Sequence, residues 1–82
     1  SQFQAGRKVD LPEAEPSDLI FFKGRNLRAS SIGHVGIVVT RMDNDNLAFI
    51  HASTSEGVRI DSLSTPYYRK RLVGIRKMFI NP

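Results

Sequence analysis

The chain has 82 residues, of which 40 % are apolar and 9 % aromatic, and it carries a net charge of +4 and no cysteine. This length allows one small domain at most, the apolar share excludes a disordered chain, and no apolar run approaches the roughly 18 residues of a membrane helix. The lack of cysteine excludes a disulfide framework, a thiolate metal site and a thiol nucleophile within these residues.

The N-terminal part of the chain is predicted to lead through a loop into a buried strand. Residues 1–5 look like the tail of an interrupted helix. Two prolines and three acidic residues between positions 10 and 16 mark a loop. Residues 18–23 are a nearly continuous apolar run with charged ends, bounded by Pro16 and Gly24. Such a run is typical of a buried central strand.

The middle of the chain is predicted to form a hairpin. Residues 25–33 are a polar loop, and the branched side chains of residues 34–40 favour a strand. Residues 42–45 have the composition of a turn, and residues 47–51 follow as the returning strand.

The register of this hairpin places the chain's two histidines together. A four-residue loop over 41–44 pairs Thr40 with Asp45 and brings His34 directly opposite His51. Directly paired residues have Cβ atoms about 4.5 to 5.5 Å apart, close enough for two imidazoles to share a hydrogen bond. A slip of one residue would turn the rings to opposite faces, so an odd-length loop with separated rings would contradict this prediction.

The C-terminal part is predicted to contain two more strands and a short helix. A turn over 53–56 leads to a short strand at 58–60. Pro66 is placed as the first residue of a brief helix, where its missing N–H costs no hydrogen bond. Residues 73–80 supply the last strand, with Gly74 as a candidate bulge.

Five of the twelve Lys and Arg residues lie within the last fourteen residues, and we call them the basic cluster: Arg69, Lys70, Arg71, Arg76 and Lys77. Such a cluster could face an acidic partner. Nucleic-acid sites usually add aromatic stacking or a recognisable motif, and here only Tyr67 and Tyr68 are adjacent. A solvated basic edge is therefore the favoured interpretation.

On the residues alone, three roles remain open for the histidine pair. The simplest role is structural, closing the end of a hairpin. The second is metal binding, for which Asp18 or Asp61 could add a carboxylate, although two histidines fall short of the ligands that zinc needs. The third is a relay of nucleophile, base and orienting group. The available hydroxyls lie outside any glycine-bracketed nucleophile elbow; they belong to Ser30, Ser31, Ser53 and Ser55.

Several phrases of the sequence resemble, in order, the sheet segments of the NlpC/P60 peptidases. They are SDLIFF at 17–22, HVGIV at 34–38 and FIHASTSEGV at 49–58. Two flanking phrases resemble members that are envelope lipoproteins of Gram-negative bacteria, namely GRKV at 6–9 and PYYRKR at 66–71. The resemblance therefore covers nearly all of the chain.

The sequence departs from this family at two points. Ser17 stands where the family usually has glycine before an Asp-Leu pair, which affects a turn and leaves the chemistry unchanged. The family's nucleophile is a cysteine at the start of a helix in the N-terminal half, typically within an Asp-Cys-Ser phrase. These 82 residues begin after that point.

The resemblance implies a role for each histidine. His34 would be the general base that pairs with the thiol, and His51 would be the third polar residue that orients it. The activity implied is a cysteine peptidase that cuts stem peptides of peptidoglycan, commonly between D-glutamyl and diaminopimelyl residues, with no cofactor, metal or nucleic acid. The location implied is the cell envelope, in the periplasm or at the outer membrane, with membrane contact only through a lipid anchor upstream of these residues.

The resemblance also implies a fold. The family has a papain-like α+β domain in which N-terminal helices carrying the cysteine pack on an antiparallel sheet. Residues 1–82 would be the C-terminal sheet part of one such domain, with the N-terminal part missing. Without those helices, one face of the sheet is expected to expose apolar side chains such as Phe21, Ile37 and Val39.

Two other classes of protein remain as alternatives. One is a small SH3-like or other β-barrel binding module with a basic surface, which would leave the histidines bound to solvent and unpaired. The other is a basic nucleic-acid-binding domain, which would bind with strong salt dependence.

Overall fold

The structure is a computed structural model that describes residues 6–28 and 30–78. It contains six strands and one α-helix, with the following bounds: β1 Arg7–Val9, β2 Leu19–Lys23, β3 Ile32–Asp43, β4 Asn46–Ser53, β5 Gly57–Ser62, α1 Pro66–Arg71 and β6 Leu72–Lys77. A single 3₁₀ turn, Leu11–Glu13, lies within the predicted loop at 10–16. Within the described ranges, no helix is long and apolar enough to cross a membrane.

All six strands belong to one antiparallel sheet in the order β1-β6-β2-β3-β4-β5. Strand β2 lies in the middle, between β3 and β6, so the prediction of a buried central strand at 18–23 is confirmed. The edge strand β1 was not predicted, because its three residues are too few to show a strand pattern. The expected helix tail at residues 1–5 lies outside the described residues.

The hydrophobic core lies on one face of the sheet. Alternate residues of a strand point to the same face, so Ile20 and Phe22 of β2 both enter this core. The other buried members come from the neighbouring strands and the loops: Val9, Ala14, Val38, Leu47, Phe49, Leu63 and Ile75. The helix α1 covers them with Tyr68, which packs against the cluster. This packing gives the histidine-bearing strands a rigid support.

The opposite face of β3 leaves apolar side chains in contact with solvent. Ile37 is 47 % exposed and Val39 is 39 % exposed, which confirms the expectation for these two residues. The expectation was wrong for Phe21, which is only 2 % exposed. Phe21 lies in the central strand directly between Val35 of β3 and Gly74 of β6, so neighbouring strands flank it on both sides.

The hairpin formed by β3 and β4 is tighter than predicted. Asp43 pairs with Asn46 across a two-residue turn, instead of Thr40 with Asp45 across four residues. The register then shifts twice along β3, between Val38 and Thr40 and between Arg41 and Asp43. Each shift is a bulge that adds one residue to β3, which short-range turn patterns do not reveal.

These shifts change the partner of every residue at the base of the hairpin. Ile37 pairs with Ile50, where the prediction paired it with Ala48. The direct opposition of His34 and His51 is therefore wrong, because His34 lies two positions further along the ladder. Two bulges move the register by an even number of residues and so preserve the faces. The prediction that both rings share one face is confirmed by their contact.

The C-terminal elements largely follow the prediction. Pro66 is the first residue of α1, which has six residues. The ladder between β2 and β6 is irregular at Val73, one residue before the predicted bulge at Gly74. Strand β6 begins at Leu72, and the end of the predicted strand at 79–80 lies outside the described residues.

Candidate active site

The two imidazoles contact each other at the base of the hairpin. His34 Nε2 and His51 Nδ1 are 2.7 Å apart, and the ring planes are 89° apart. Continuing the observed register puts Gly36 across from His51, so the two rings meet as diagonal neighbours. Diagonal pairs on adjacent strands lie within reach of ring side chains. The geometry therefore replaces a direct pair with a diagonal one and keeps the hydrogen bond.

Gly36 provides the space for this diagonal contact. It lies between His34 and the core residue Val38 on the same face of β3. A Cβ atom at this position would lie 2.9 Å from the Phe49 ring and 3.4 Å from Cβ of His51. A larger residue would collide with the Phe49 ring and the His51 side chain. The glycine therefore leaves room for the diagonal contact between His34 and His51.

The second ring nitrogen of His51 is bound by a carboxylate. His51 Nε2 lies 2.6 Å from Oδ2 of Asp61, and the two side chains are 1 % and 13 % exposed. Strand β5 pairs Arg59 with His51 and Asp61 with Phe49, so Asp61 is also a diagonal neighbour. From the sequence, Asp61 was considered only as a metal ligand. The predicted turn over 53–56 would pair Ala52 with Gly57 and point Asp61 to the other face, whereas the observed pairing of Ser53 with Gly57 puts Asp61 beside His51.

Arg59 holds the carboxylate of Asp61 in place. Its Nη2 donates a hydrogen bond to Oδ1 at 2.9 Å, and its Nε lies 2.8 Å from Oδ2. Burial by itself raises the pKa of Asp61, but the hydrogen bonds from His51 and Arg59 and the charge of Arg59 outweigh it and hold that pKa below its usual value. Asp61 is therefore ionised at neutral pH.

His34 is placed to remain neutral. Burial, and then the neighbouring His51, lower the pKa of His34 below its usual value of 6.5. The Phe22 ring lies 6.1 Å from the His34 ring and contributes to this apolar surrounding. A neutral imidazole can accept a proton, so His34 has the protonation state that a general base needs.

Tyr68 of α1 packs against the ring of His51. Its ring meets His51 edge-on, with the centroids 5.2 Å apart, and it also contacts Phe22 and Phe49. Burial, and then the charge of Asp61, raise the pKa of Tyr68, so its phenol stays protonated. The aromatic contacts restrict the orientation of the His51 ring.

A cavity of about 250 Å³ opens beside the two rings. Both histidines line it, together with aromatic and basic side chains from β2, α1 and the loop after β2: Phe22, Tyr67, Tyr68, Lys23, Arg25 and Arg71. Arg71 stacks on the Tyr67 ring with its Cζ 3.7 Å from the ring centroid. A substrate group could therefore reach His34 from a site with a positive rim.

The basic cluster is distributed over separate contacts. Arg71 donates to the carbonyls of Gly24 at 3.2 Å and Tyr67 at 3.0 Å. Arg69 donates to the carbonyl of Asp45, and Lys77 forms ion pairs with residues of the loop before β2. Arg69 and Lys70 are exposed, as expected of a solvated basic edge, whereas Arg71 and Lys77 are partly buried.

The other candidate residues lie apart from the rings or serve the backbone. Asp18 binds Lys77 and the backbone N–H of Glu15, so it does not join the histidines. Ser53 lines the cavity, but its Oγ accepts hydrogen bonds from backbone N–H groups of the following turn. Across residues 6–28 and 30–78, no group of three or more His, Cys, Asp or Glu side chains is arranged to hold a metal ion.

The sequence model of the NlpC/P60 family matches residues 1–77. The chain belongs to the NlpC/P60 family. It is 38 % identical over 78 residues to the murein DD-endopeptidase MepS/murein LD-carboxypeptidase of Escherichia coli strain K12, covering 94 % of this chain and 36 % of that protein. It is also 38 % identical over 77 residues to the probable endopeptidase NlpC of the same strain, covering 94 % and 46 %. The NlpC/P60 chain spans less than half the length of these relatives.

A solved structure has the same fold. The NlpC/P60 family protein from Bacillus cereus ATCC 10987 superposes with a TM-score of 0.76 at 28 % identity, covering 93 % of this chain and 23 % of that one. The resemblance found in the sequence is confirmed. The barrel alternative predicted unpaired histidines, and the hydrogen bond between His34 and His51 contradicts it.

Proposed function

We propose that this NlpC/P60 chain is the sheet half of a papain-like cysteine peptidase domain that hydrolyses stem peptides of peptidoglycan. The hydrogen bond between His34 and His51 beside an open cavity carries the proposal. In it, His34 is the general base and His51 orients it. The names of the two Escherichia coli relatives, a murein endopeptidase and a probable endopeptidase, support an activity of this class.

The proposed nucleophile is a cysteine at the start of a helix in a segment other than residues 1–82, which contain no cysteine. His34 removes the thiol proton, and the helix N-terminus adds positive potential at the sulfur. The thiolate attacks the peptide carbonyl, the C–N bond breaks, and His34 returns its proton to the leaving amine. Water, deprotonated by His34, then releases the acyl group and regenerates the thiol.

The N-terminal helices are proposed to complete the domain by packing on this sheet. Ile37 and Val39 offer an apolar surface on β3 that part of the N-terminal segment could cover. His34 points to the other face of β3, so the cysteine itself must reach the cavity beside His34. The proposed domain has residues 1–82 as its C-terminal part and the cysteine-bearing part before them.

The proposed substrate is a stem peptide with free carboxylates, cut at a bond such as D-glutamyl-diaminopimelyl. Lys23 and Arg25 on the cavity rim favour an anionic ligand. The proposed location is the cell envelope, at the periplasm or outer membrane, with any membrane contact made through a lipid anchor upstream. No cofactor is part of the proposed reaction.

The test uses the protein as its gene encodes it, incubated with purified muropeptides and followed by mass spectrometry of the products. His34→Ala is expected to abolish cleavage, because it removes the base, and His51→Ala is expected to weaken it. Thr40→Ala, at an exposed position on the same strand, is the matched control with unchanged cleavage. Full activity of His34→Ala, or a gene product without any cysteine, would refute the proposed function.

A further inference from the structure

Three adjacent strands contribute one continuous series of hydrogen bonds to the site. His34 of β3 contacts His51 of β4 at 2.7 Å, and His51 contacts Asp61 of β5 at 2.6 Å. Arg59, two residues before Asp61 on the same strand, holds the far side of the carboxylate. The series therefore begins at the ion pair of Arg59 and Asp61 and ends at His34, which lines the cavity together with His51.

We infer that Asp61 is a positioning residue that fixes the tautomers of both histidines and leaves Nδ1 of His34 as the atom that accepts the proton. The inference rests on the proposed peptidase function for its catalytic meaning. It goes further by naming the atom that acts and the side chain that selects it.

The tautomers follow from the donors and acceptors along the series. An ionised carboxylate only accepts hydrogen bonds, so Nε2 of His51 must carry the hydrogen that Asp61 receives. A neutral imidazole has one N–H, so Nδ1 of His51 is an acceptor. Nε2 of His34 must then donate to it, and the lone pair of His34 lies on Nδ1. One carboxylate thus determines the hydrogen positions on two rings.

Arg59 keeps this series in one direction. It donates to Oδ1 of Asp61 and lies against Oδ2, so the carboxylate stays charged and cannot become a donor. The other charged or titratable groups that face the series are Glu56, which pairs with Arg59, and Tyr68, whose ring meets His51. When His34 takes up the proton of the nucleophile, the negative charge of Asp61 stabilises the positive imidazole pair.

The direct test is an NMR measurement of the ring nitrogens in the protein as its gene encodes it. Two-bond ¹⁵N–¹H correlation spectra at neutral pH distinguish the two tautomers of a neutral histidine. Both His34 and His51 are expected as the tautomer protonated at Nε2. A spectrum with His51 protonated at Nδ1 overturns the inference, and it does so without any variant or any substrate.

The variant Asp61→Asn reverses the series with almost no change of volume. Arg59 attracts the amide oxygen, so the amide nitrogen turns to His51 Nε2 and donates to it. His51 then carries its hydrogen on Nδ1, and His34 must carry its own on Nδ1, where the base is needed. We expect the NMR tautomers of both rings to switch. We also expect kcat for stem-peptide cleavage to fall about 100- to 10,000-fold with KM little changed.

The matched control is Glu56→Gln, which removes the other carboxylate that contacts Arg59 and leaves Asp61 in place. It should keep the wild-type tautomers and the wild-type pH profile of kcat/KM. If Asp61→Asn also keeps both, the inference is wrong. If the unaltered protein cleaves no stem peptide, the proposed function fails, while the tautomers measured by NMR still decide the role of Asp61.

Discussion

Asp18 and Asp61 hold two regions of the sheet together with similar partners and different consequences. Each carboxylate contacts one basic side chain, Lys77 at 2.8 Å for Asp18 and Arg59 at 2.9 Å for Asp61. The second oxygen of Asp18 accepts a backbone N–H, which ends the series of hydrogen bonds inside the fold. The second oxygen of Asp61 binds His51, which continues the series to the cavity. A paired carboxylate thus supports structure or chemistry according to where its hydrogen bonds lead.

The largest effect on stability is expected at Asp18, whose side chain is 1 % exposed. Asp18→Ala removes the acceptor for Lys77 and for the Glu15 N–H, so the free energy of unfolding should fall by about 1 to 3 kcal/mol. Chemical denaturation measures this change. Asp10→Ala, at an exposed acid of the same loop, is the control and should stay within about 0.5 kcal/mol. Equal effects at both positions would contradict the structural role of Asp18.

A second effect is the pH dependence of stability, to which His34 and Asp61 contribute in different pH ranges. The pKa of His34 is lowered in the folded protein by burial and by His51, so the unfolded chain binds the proton more readily. The free energy of unfolding should therefore fall as the pH drops below the usual value of 6.5. His34→Gln should lack this component. A pH titration of thermal unfolding that is identical for both proteins would contradict the assignment.

The lowered pKa of Asp61 adds a second pH range, more acidic than the first, in which the free energy of unfolding changes. Its stabilising contribution is present above the usual value of 3.8 and is lost as the pH falls through the lowered pKa of the folded state. The two windows do not coincide, so one titration of the unaltered protein reports both groups. Asp61→Asn should remove only the more acidic component.

The smallest effect is expected at Ser17, next to Asp18. Ser17 has a φ of 79°, a left-handed conformation that a side chain disfavours, and its N–H donates to the carbonyl of Val38. Ser17→Gly should raise the free energy of unfolding by about 1 kcal/mol, since glycine adopts this φ without strain. Thermal denaturation measures it. Ala52→Gly on β4 is the control and should lower stability by about 0.5 to 1 kcal/mol.

Much of the fold could be predicted because it depends on local patterns. The apolar run at 18–23, the branched residues of β3 and the proline at the start of α1 each indicated their element, and the structure confirmed them. The left-handed backbone at Ser17 is a conformation that glycine adopts without strain, which fits the glycine that the resemblance implies at this position. Strand β1 was missed because three residues carry too little pattern.

The candidate site was predictable in part. Alternation along β3 and β4 placed His34 and His51 on one face, and that prediction holds because two bulges preserve the faces. The direct opposition was wrong because bulges depend on packing along the whole hairpin. Asp61 was overlooked as an orienting group, since its contact with His51 requires the register of a third strand.

The sequence by itself determined the family, the hairpin of β3 and β4 and the shared face of the two rings, because each depends on residue types and on a period of two. The tertiary structure decided that the rings meet diagonally over Gly36 and that Asp61 and Arg59 extend the contact. Those features depend on the register between strands that are distant in the chain, and register is set by the packing of the whole sheet.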